Sequence, residues 1–135
     1  MLFSSKSRYA LRVMVDLAEN NAEIQSIKNI SKRQDISEKY LEQILSSLTK
    51  ANLVTSKRGT QGGYSLSKPT KEISVGEIMH AAEGDLYVID CLNPSVPCNR
   101  QNVCKTHDYW DKLNSLMSNF LDSVSLYDIL NDKVK

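Results

Sequence analysis

Ser26 to Leu66 reads SIKNISKRQDISEKYLEQILSSLTKANLVTSKRGTQGGYSL, and its changes of period set out the architecture. Ser26 stands before Ile27 and Ile30, a short apolar stripe at helical spacing that ends near Gln34. Asp35-Ile36 makes a tight connection. Ser37 then precedes Tyr40, Leu41, Ile44, Leu45 and Leu48, the single apolar stripe of a second helix running to about Lys50. Two short helices joined by so few residues form a helix-turn-helix. After Ala51-Asn52 the period changes from helical to alternating. Leu53 to Ser56 reads as a short strand, Lys57 to Gly63 as a glycine-rich turn, and Tyr64-Ser65-Leu66 as the returning strand. A hairpin directly after a helix-turn-helix is the outline of a winged helix.

Working upstream, Ser4 and Ser5 are N-cap candidates for a helix from about Lys6 to Glu19, with Tyr9, Ala10, Val13, Met14, Leu17 and Ala18 on one face. Asn20 to Gln25 is a polar loop. Downstream, Pro69 ends the hairpin because it has no N–H to give a ladder. A helix follows from Val75 to Glu83, stopped by Gly84. Residues 85 to 106 are irregular, with Pro94, Pro97 and all three cysteines. From Thr106 a long helix runs to about Ser123. Its residues Trp110, Leu113, Met117, Phe120 and Val124 repeat at alternating steps of three and four, and Leu116 and Leu121 widen the stripe. That spacing suits lengthwise packing on another helix, such as its own copy, so these seven residues are the candidate dimer interface. Ser125 caps a last short helix, Leu126 to Leu130. The expected fold class is mainly α with a small β-hairpin: a winged helix-turn-helix (1–72), then a cysteine loop and dimerisation helices (73–135).

The 135 residues are about one domain's worth. With 41% apolar and 24% charged residues, collagen-like and disordered classes fall away. No apolar run approaches the roughly 20 residues of a membrane helix, and MLFSSKSRYA is too polar for a secretory signal, so a cytoplasmic location without membrane partners is expected. The net charge of +1 hides a division. Through Glu72, twelve Lys and Arg face seven Asp and Glu, a net +5; beyond it, five face nine, a net −4. The basic part can attract phosphate, although a solvated surface of mixed charge gives the same count.

In a helix-turn-helix the second helix enters the major groove with its N-terminal residues against base edges. Here Ser37, Glu38, Lys39, Tyr40, Glu42 and Gln43 occupy that stretch. Gln43 can contact adenine bidentately, Glu42 can accept from cytosine N4, and Lys39 can reach guanine or phosphate. Lys57, Arg58 and Gly59 at the wing can carry cations into a minor groove or along phosphates. Lys6, Arg8 and Tyr9 supply further phosphate partners. On the recognition-helix face alone, a polar solvated surface explains the pattern better.

Ser5-Lys6-Ser7-Arg8-Tyr9-Ala10-Leu11, Tyr40-Leu41-Glu42-Gln43, and Leu53-Val54 followed by Ser56 to Tyr64 resemble, in order and spacing, the bacterial winged-helix regulators of the IscR/NsrR/CymR family, over nearly the whole chain. The resemblance implies a homodimer on partly palindromic double-stranded DNA, with Glu42 and Gln43 on the recognition helix and Arg58 on the wing. The wing reads Gly-Thr-Gln-Gly-Gly where IscR-like proteins often carry a Pro and another Gly, so base preference does not transfer.

Cys91, Cys98, Cys104 and His107 put four potential ligands within 17 residues, spaced C-x6-C-x5-C-x2-H. Thiolates suit zinc, cuprous copper or iron-sulfur clusters, and an imidazole completes a fourth position. Idle free cysteines beside a helix-start histidine are the bland alternative. Structural zinc favours tight C-x2-C knuckles, absent here. The family resemblance implies a cluster, and for the IscR type, whose histidine matches His107, a [2Fe-2S] cluster. The gap between the first two cysteines is one residue longer than is usual for that type. NsrR-like members use an aspartate near the N-terminus, where Ser7 and Arg8 stand here, and CymR-like members lack the trio. The expected function is a transcription regulator whose operator binding responds to that cluster, with a zinc or thiol-redox site as the alternative. An enzyme with a cysteine nucleophile and His107 as base lacks any oxyanion-hole motif or third orienting residue, so the chain is not read as an enzyme.

Overall fold

Among the described residues, five of the six α-helices begin on a serine whose hydroxyl oxygen accepts a backbone N–H three residues on. In the computed structural model, which describes residues 3–134, these are Ser4 before α1 (Ser5–Glu19), Ser26 before α2 (Ile27–Gln34), Ser37 before α3 (Glu38–Lys50), Ser74 before α4 (Val75–Glu83) and Ser125 before α6 (Leu126–Leu130). Ser125 also closes a reciprocal capping box with Asp128. The sixth, α5 (His107–Ser123), follows Thr106 without a side-chain cap. Each such serine typically contributes about 1 kcal/mol over alanine by satisfying an otherwise unpaired N–H. At the other end of α2, Asp35 adopts a left-handed conformation (φ 54°), and Ser31 Oγ donates to the Ile36 carbonyl at 2.6 Å. This closes the turn before α3.

The core is built from both ends of the chain. Ala10, Val13, Met14 and Leu17 of α1, Ile30 of α2, and Leu41, Ile44, Leu45 and Leu48 of α3 are buried together with Leu53, Ile73, Ile78 and Leu126. The α6 entry is pinned to the α4 entry by two backbone bonds: Val75 N–H to the Val124 carbonyl and Leu126 N–H to the Ile73 carbonyl, both 2.8 Å. A smaller cluster of Val75, Met79, Leu86 and Val124 receives Met117 and Leu121 from α5.

The hairpin pairs β1 (Val54–Lys57) with β2 (Gly63–Leu66) antiparallel, Val54 opposite Leu66 and Lys57 opposite Gly63. The strand therefore starts one residue later than the alternation predicts. Leu53 drops into the core, and Lys57 joins the ladder instead of opening the turn. Gln25, expected in a free loop, extends this sheet: it exchanges backbone bonds of 2.9 and 2.8 Å with Tyr64. Only a glycine fits beside it, because a Cβ at Gly63 would meet the Gln25 carbonyl oxygen at 2.2 Å.

The apolar stripe of α5 divides in two, although its spacing reads as one face. Met117 and Leu121 pack on α4 and Val124 is buried just past the helix end, while Leu113, Leu116 and Phe120 remain 38%, 54% and 48% exposed. The helix is wide enough for two contacts, and among the described residues one face is packed while the other is left exposed. Residues 85–106 are irregular as expected, apart from a single 3-10 turn at Asp90–Leu92.

Candidate functional site

The α3 entry carries Ser37, Glu38, Lys39, Glu42 and Gln43, all exposed, while Leu41, Ile44 and Leu45 bury the opposite face. Tyr40 behaves differently. It is half-buried and meets the Tyr9 ring edge-on at 5.8 Å, so α1 and α3 lock where both begin. Around Tyr9 gather two guanidiniums, Arg8 at 6.0 Å and Arg12 at 5.1 Å from the ring centroid. Arg8 is exposed and Lys6 half-exposed. Arg12 was legible only as the i+4 neighbour of Arg8. It crosses to α2, donating to the Gln34 side chain at 3.2 Å and to the Gln34 carbonyl.

Lys57, Arg58 and Gly59 are exposed on the wing. Among the described residues Lys39, Lys57 and Arg58 form no ion pair, so their charge is available to a ligand. Between the wing and the α2 entry lies an open cleft of about 570 Å³, lined by Ser26, Ile27, Lys57, Arg58 and Tyr64 among others.

Beneath this surface is a polar network that the sequence pattern does not announce. Asp16 is only 2% exposed and accepts from Arg33 Nε at 2.9 Å, Arg33 Nη2 at 2.6 Å and Gln34 Nε2 at 2.9 Å. Arg33 Nη2 also donates to Gln25 Oε1 at 2.9 Å. The bond to Asp16 and the neighbouring negative charge hold the Arg33 pKa above its ordinary value, against the opposing effect of burial. Since Gln25 pairs with Tyr64, one carboxylate fixes α2 on α1 and reaches the wing.

Cys91, Cys98 and His107 line one cleft of about 490 Å³, together with Asp111 and Gln101. All three cysteines are free thiols of intermediate burial. The approach to Cys91 is anchored: Leu86 is buried, and the Val88 N–H donates to Asn114 Oδ1 of α5 at 2.8 Å. His107 is the first residue of α5. Cys104 does not line the cleft; its sulfur lies 3.2 Å from Thr106 Oγ1. The Thr106 side chain, then the Thr106 and His107 backbone N–H groups and the Arg100 charge, hold its pKa below the ordinary thiol value despite slight desolvation. No three His, Cys, Asp or Glu side chains among the described residues converge closely enough to hold a metal ion. The donor chemistry nonetheless fits a sulfur-ligated group: soft ligands face a common space, and the remaining thiol is only three residues from His107. His80 closes α4 by contacting the Gly84 carbonyl at 3.0 Å. Among the described residues no helix is long and apolar enough to cross a membrane.

The family model described as Rrf2, iron-dependent transcriptional regulator, matches residues 3–132. An HTH-type transcriptional regulator of Neisseria meningitidis is 40% identical over 135 aligned residues, covering 98% of this chain and 90% of that protein. Two solved structures are similar over 98% of this chain. CymR, the global cysteine regulator of B. subtilis, has a TM-score of 0.80 at 32% identity with 98% of its own chain covered. T. potens IscR has 0.79 at 36% identity with 88% of its chain covered.

Proposed function

Because this chain belongs to the Rrf2 family of transcriptional regulators, whose members here are regulators and not enzymes, we propose that it is a cytoplasmic homodimer reading partly palindromic DNA under the control of a [2Fe-2S] cluster. Residues 1–72 do the reading. Glu42 and Gln43 of α3 contact base edges, Lys39 and Ser37 position the helix, and Arg58 with Lys57 and Gly59 holds the backbone from the wing. Lys6 and Arg8 add phosphate contacts, while Tyr9 and Tyr40 brace the two helix entries against each other.

The exposed Leu113, Leu116 and Phe120, with Trp110, pair α5 with its copy. Met117, Leu121 and Val124 support that helix from inside the chain.

The observation that carries the sensing is the meeting of Cys91, Cys98 and His107 at one cleft. With Cys104 drawn in, they supply three thiolates and one imidazole. When bound there, a [2Fe-2S] cluster supplies a one-electron couple and a site sensitive to oxidants and iron supply. Leu86 and the Val88–Asn114 bond tie this segment to α5, so its rearrangement is felt by the paired helices and, through them, by the separation of two α3 entries. A coupling of about 1–3 kcal/mol changes DNA affinity roughly 5- to 150-fold. Protein purified without oxygen and reconstituted with iron and sulfide should absorb visible light and hold iron in a cysteine-dependent way. Absence of both defeats the cluster reading.

The position of Cys104 outside the cleft, with the likeness to CymR, favours a second reading in which zinc or direct thiol oxidation replaces the cluster. Metal analysis with an iron-to-sulfide ratio separates the two.

A further inference from the structure

Glu83, the last residue of α4, reaches across to the first turn of α1. Its Oε1 accepts the Ser4 N–H at 3.0 Å and the hydroxyls of Ser4 and Ser7. Ser4 thus works in both directions, capping the Ser7 N–H and donating to Glu83. A carboxylate is well placed here, since the unpaired N–H groups of a helix entry carry partial positive charge. Within this turn only Ser7 is buried, whereas Lys6 and Arg8 are not. The core anchors of α1 begin further on, at Ala10, Val13 and Met14. Phe3 before the turn packs on the Val75 and Met79 cluster and Tyr9 after it packs on Tyr40, and Glu83 is the side chain from a distant helix that takes the polar groups of the turn between them.

We propose that Glu83 is a positioning residue for DNA binding: its carboxylate fixes the first turn of α1 so that Lys6 and Arg8 meet duplex phosphates. The inference rests on the DNA reading above and adds a residue that touches no DNA. Gly84 follows directly and opens the segment that leads to Cys91, which places this joint between the cysteine cleft and the DNA surface.

The test uses the full chain and a duplex that the wild-type protein selects from a random pool, with affinity measured across a salt series. Glu83→Ala should weaken binding and flatten log affinity against log salt by up to about 1.8, the share of two phosphate contacts at about 0.9 each. Glu83→Gln, which retains an acceptor oxygen, should keep most of the slope. In a Lys6→Ala/Arg8→Ala background, Glu83→Ala should have no further effect. An unchanged slope, or a Glu83→Ala effect that simply adds to the loss of the two cations, overturns the proposal. Circular dichroism checks that each variant folds; should Glu83→Ala fail to fold, Ser7→Ala takes its place, removing one donor from the same carboxylate with the same outcomes expected. A wild-type protein that binds no duplex defeats the DNA reading itself, whereas normal wild-type binding with an unaltered variant slope defeats this inference alone.

Discussion

Replacing Arg33 by alanine isolates the physics of the buried network. The substitution takes two of three donors from Asp16 and leaves its 2%-exposed carboxylate with the Gln34 amide alone. Breaking a buried ion pair from one side costs roughly 3–5 kcal/mol, because the remaining charge stays desolvated. The Arg33 side chain is 34% exposed, and one donor survives, so the lower end applies, about 3 kcal/mol. Against a total stability of about 5–15 kcal/mol this is a large fraction, and for a chain of this size it lowers Tm by roughly 10 °C. Adding Asp16→Asn removes the orphaned charge and should recover part of the loss. Urea and thermal unfolding followed by circular dichroism give both numbers. Gln25 also loses its Arg33 donor, so the Tyr64 N–H, bonded to the Gln25 carbonyl, should exchange with solvent faster. A cost below about 1 kcal/mol, typical of a surface pair, with no recovery on adding Asp16→Asn, would mean that Asp16 does not depend on Arg33 as a buried partner.

Arg58→Ala should weaken DNA binding and reduce the salt slope by about 0.9; equal affinity and slope would remove the wing from the account. Glu42→Ala should relax base preference more than it lowers affinity, and unchanged selectivity across operator variants would show that Glu42 reads nothing. Leu116→Glu places a charge on a residue that is 54% exposed in the single chain, so folding should persist while sedimentation shows monomers; persistence of the dimer would locate the interface elsewhere. Glu83 is desolvated, but its bonds from Ser4 and Ser7 and the Lys6 charge outweigh that, and its pKa is lowered. A lowered carboxylate pKa stabilises the fold above the ordinary carboxylate range and ceases to do so as pH falls through the folded value. The stability gap between wild type and Glu83→Gln should therefore narrow on acidification, and a gap that ignores pH would contradict the assignment.

Much of the architecture was legible because its signals are local. Ser26 and Ser37 mark helix starts within one turn of the apolar residues they precede, and the change of period after Asn52 announces the hairpin. The one-residue difference in the strand bounds has a simple cause: Leu53 and Val54 are both buried, so alternation does not mark the first ladder residue, and the Leu53 carbonyl still accepts the Ser67 N–H at 3.1 Å. In the cysteine segment, spacing singled out Cys91, Cys98, Cys104 and His107 as candidate ligands. It did not reveal that Cys104 turns toward Thr106 while Cys91 and Cys98 share a cleft with His107.

Read alone, the amino-acid order was enough for the helix entries, the helix-turn-helix, the hairpin and the grouping of three thiols with one imidazole, since each depends on residues within a few positions of one another. It took the folded chain to show that Asp16 takes Arg33, that Glu83 holds Ser4 and Ser7, that Gln25 joins the wing, and which part of α5 faces inward. Those pairings join residues 17 to 79 positions apart, as with Asp16–Arg33 and Ser4–Glu83, and such contacts leave no periodic trace in the chain. The packing of α1 against α2 and α4 brings Asp16 to Arg33 and Glu83 to Ser4 and Ser7, and the hairpin brings Tyr64 to Gln25.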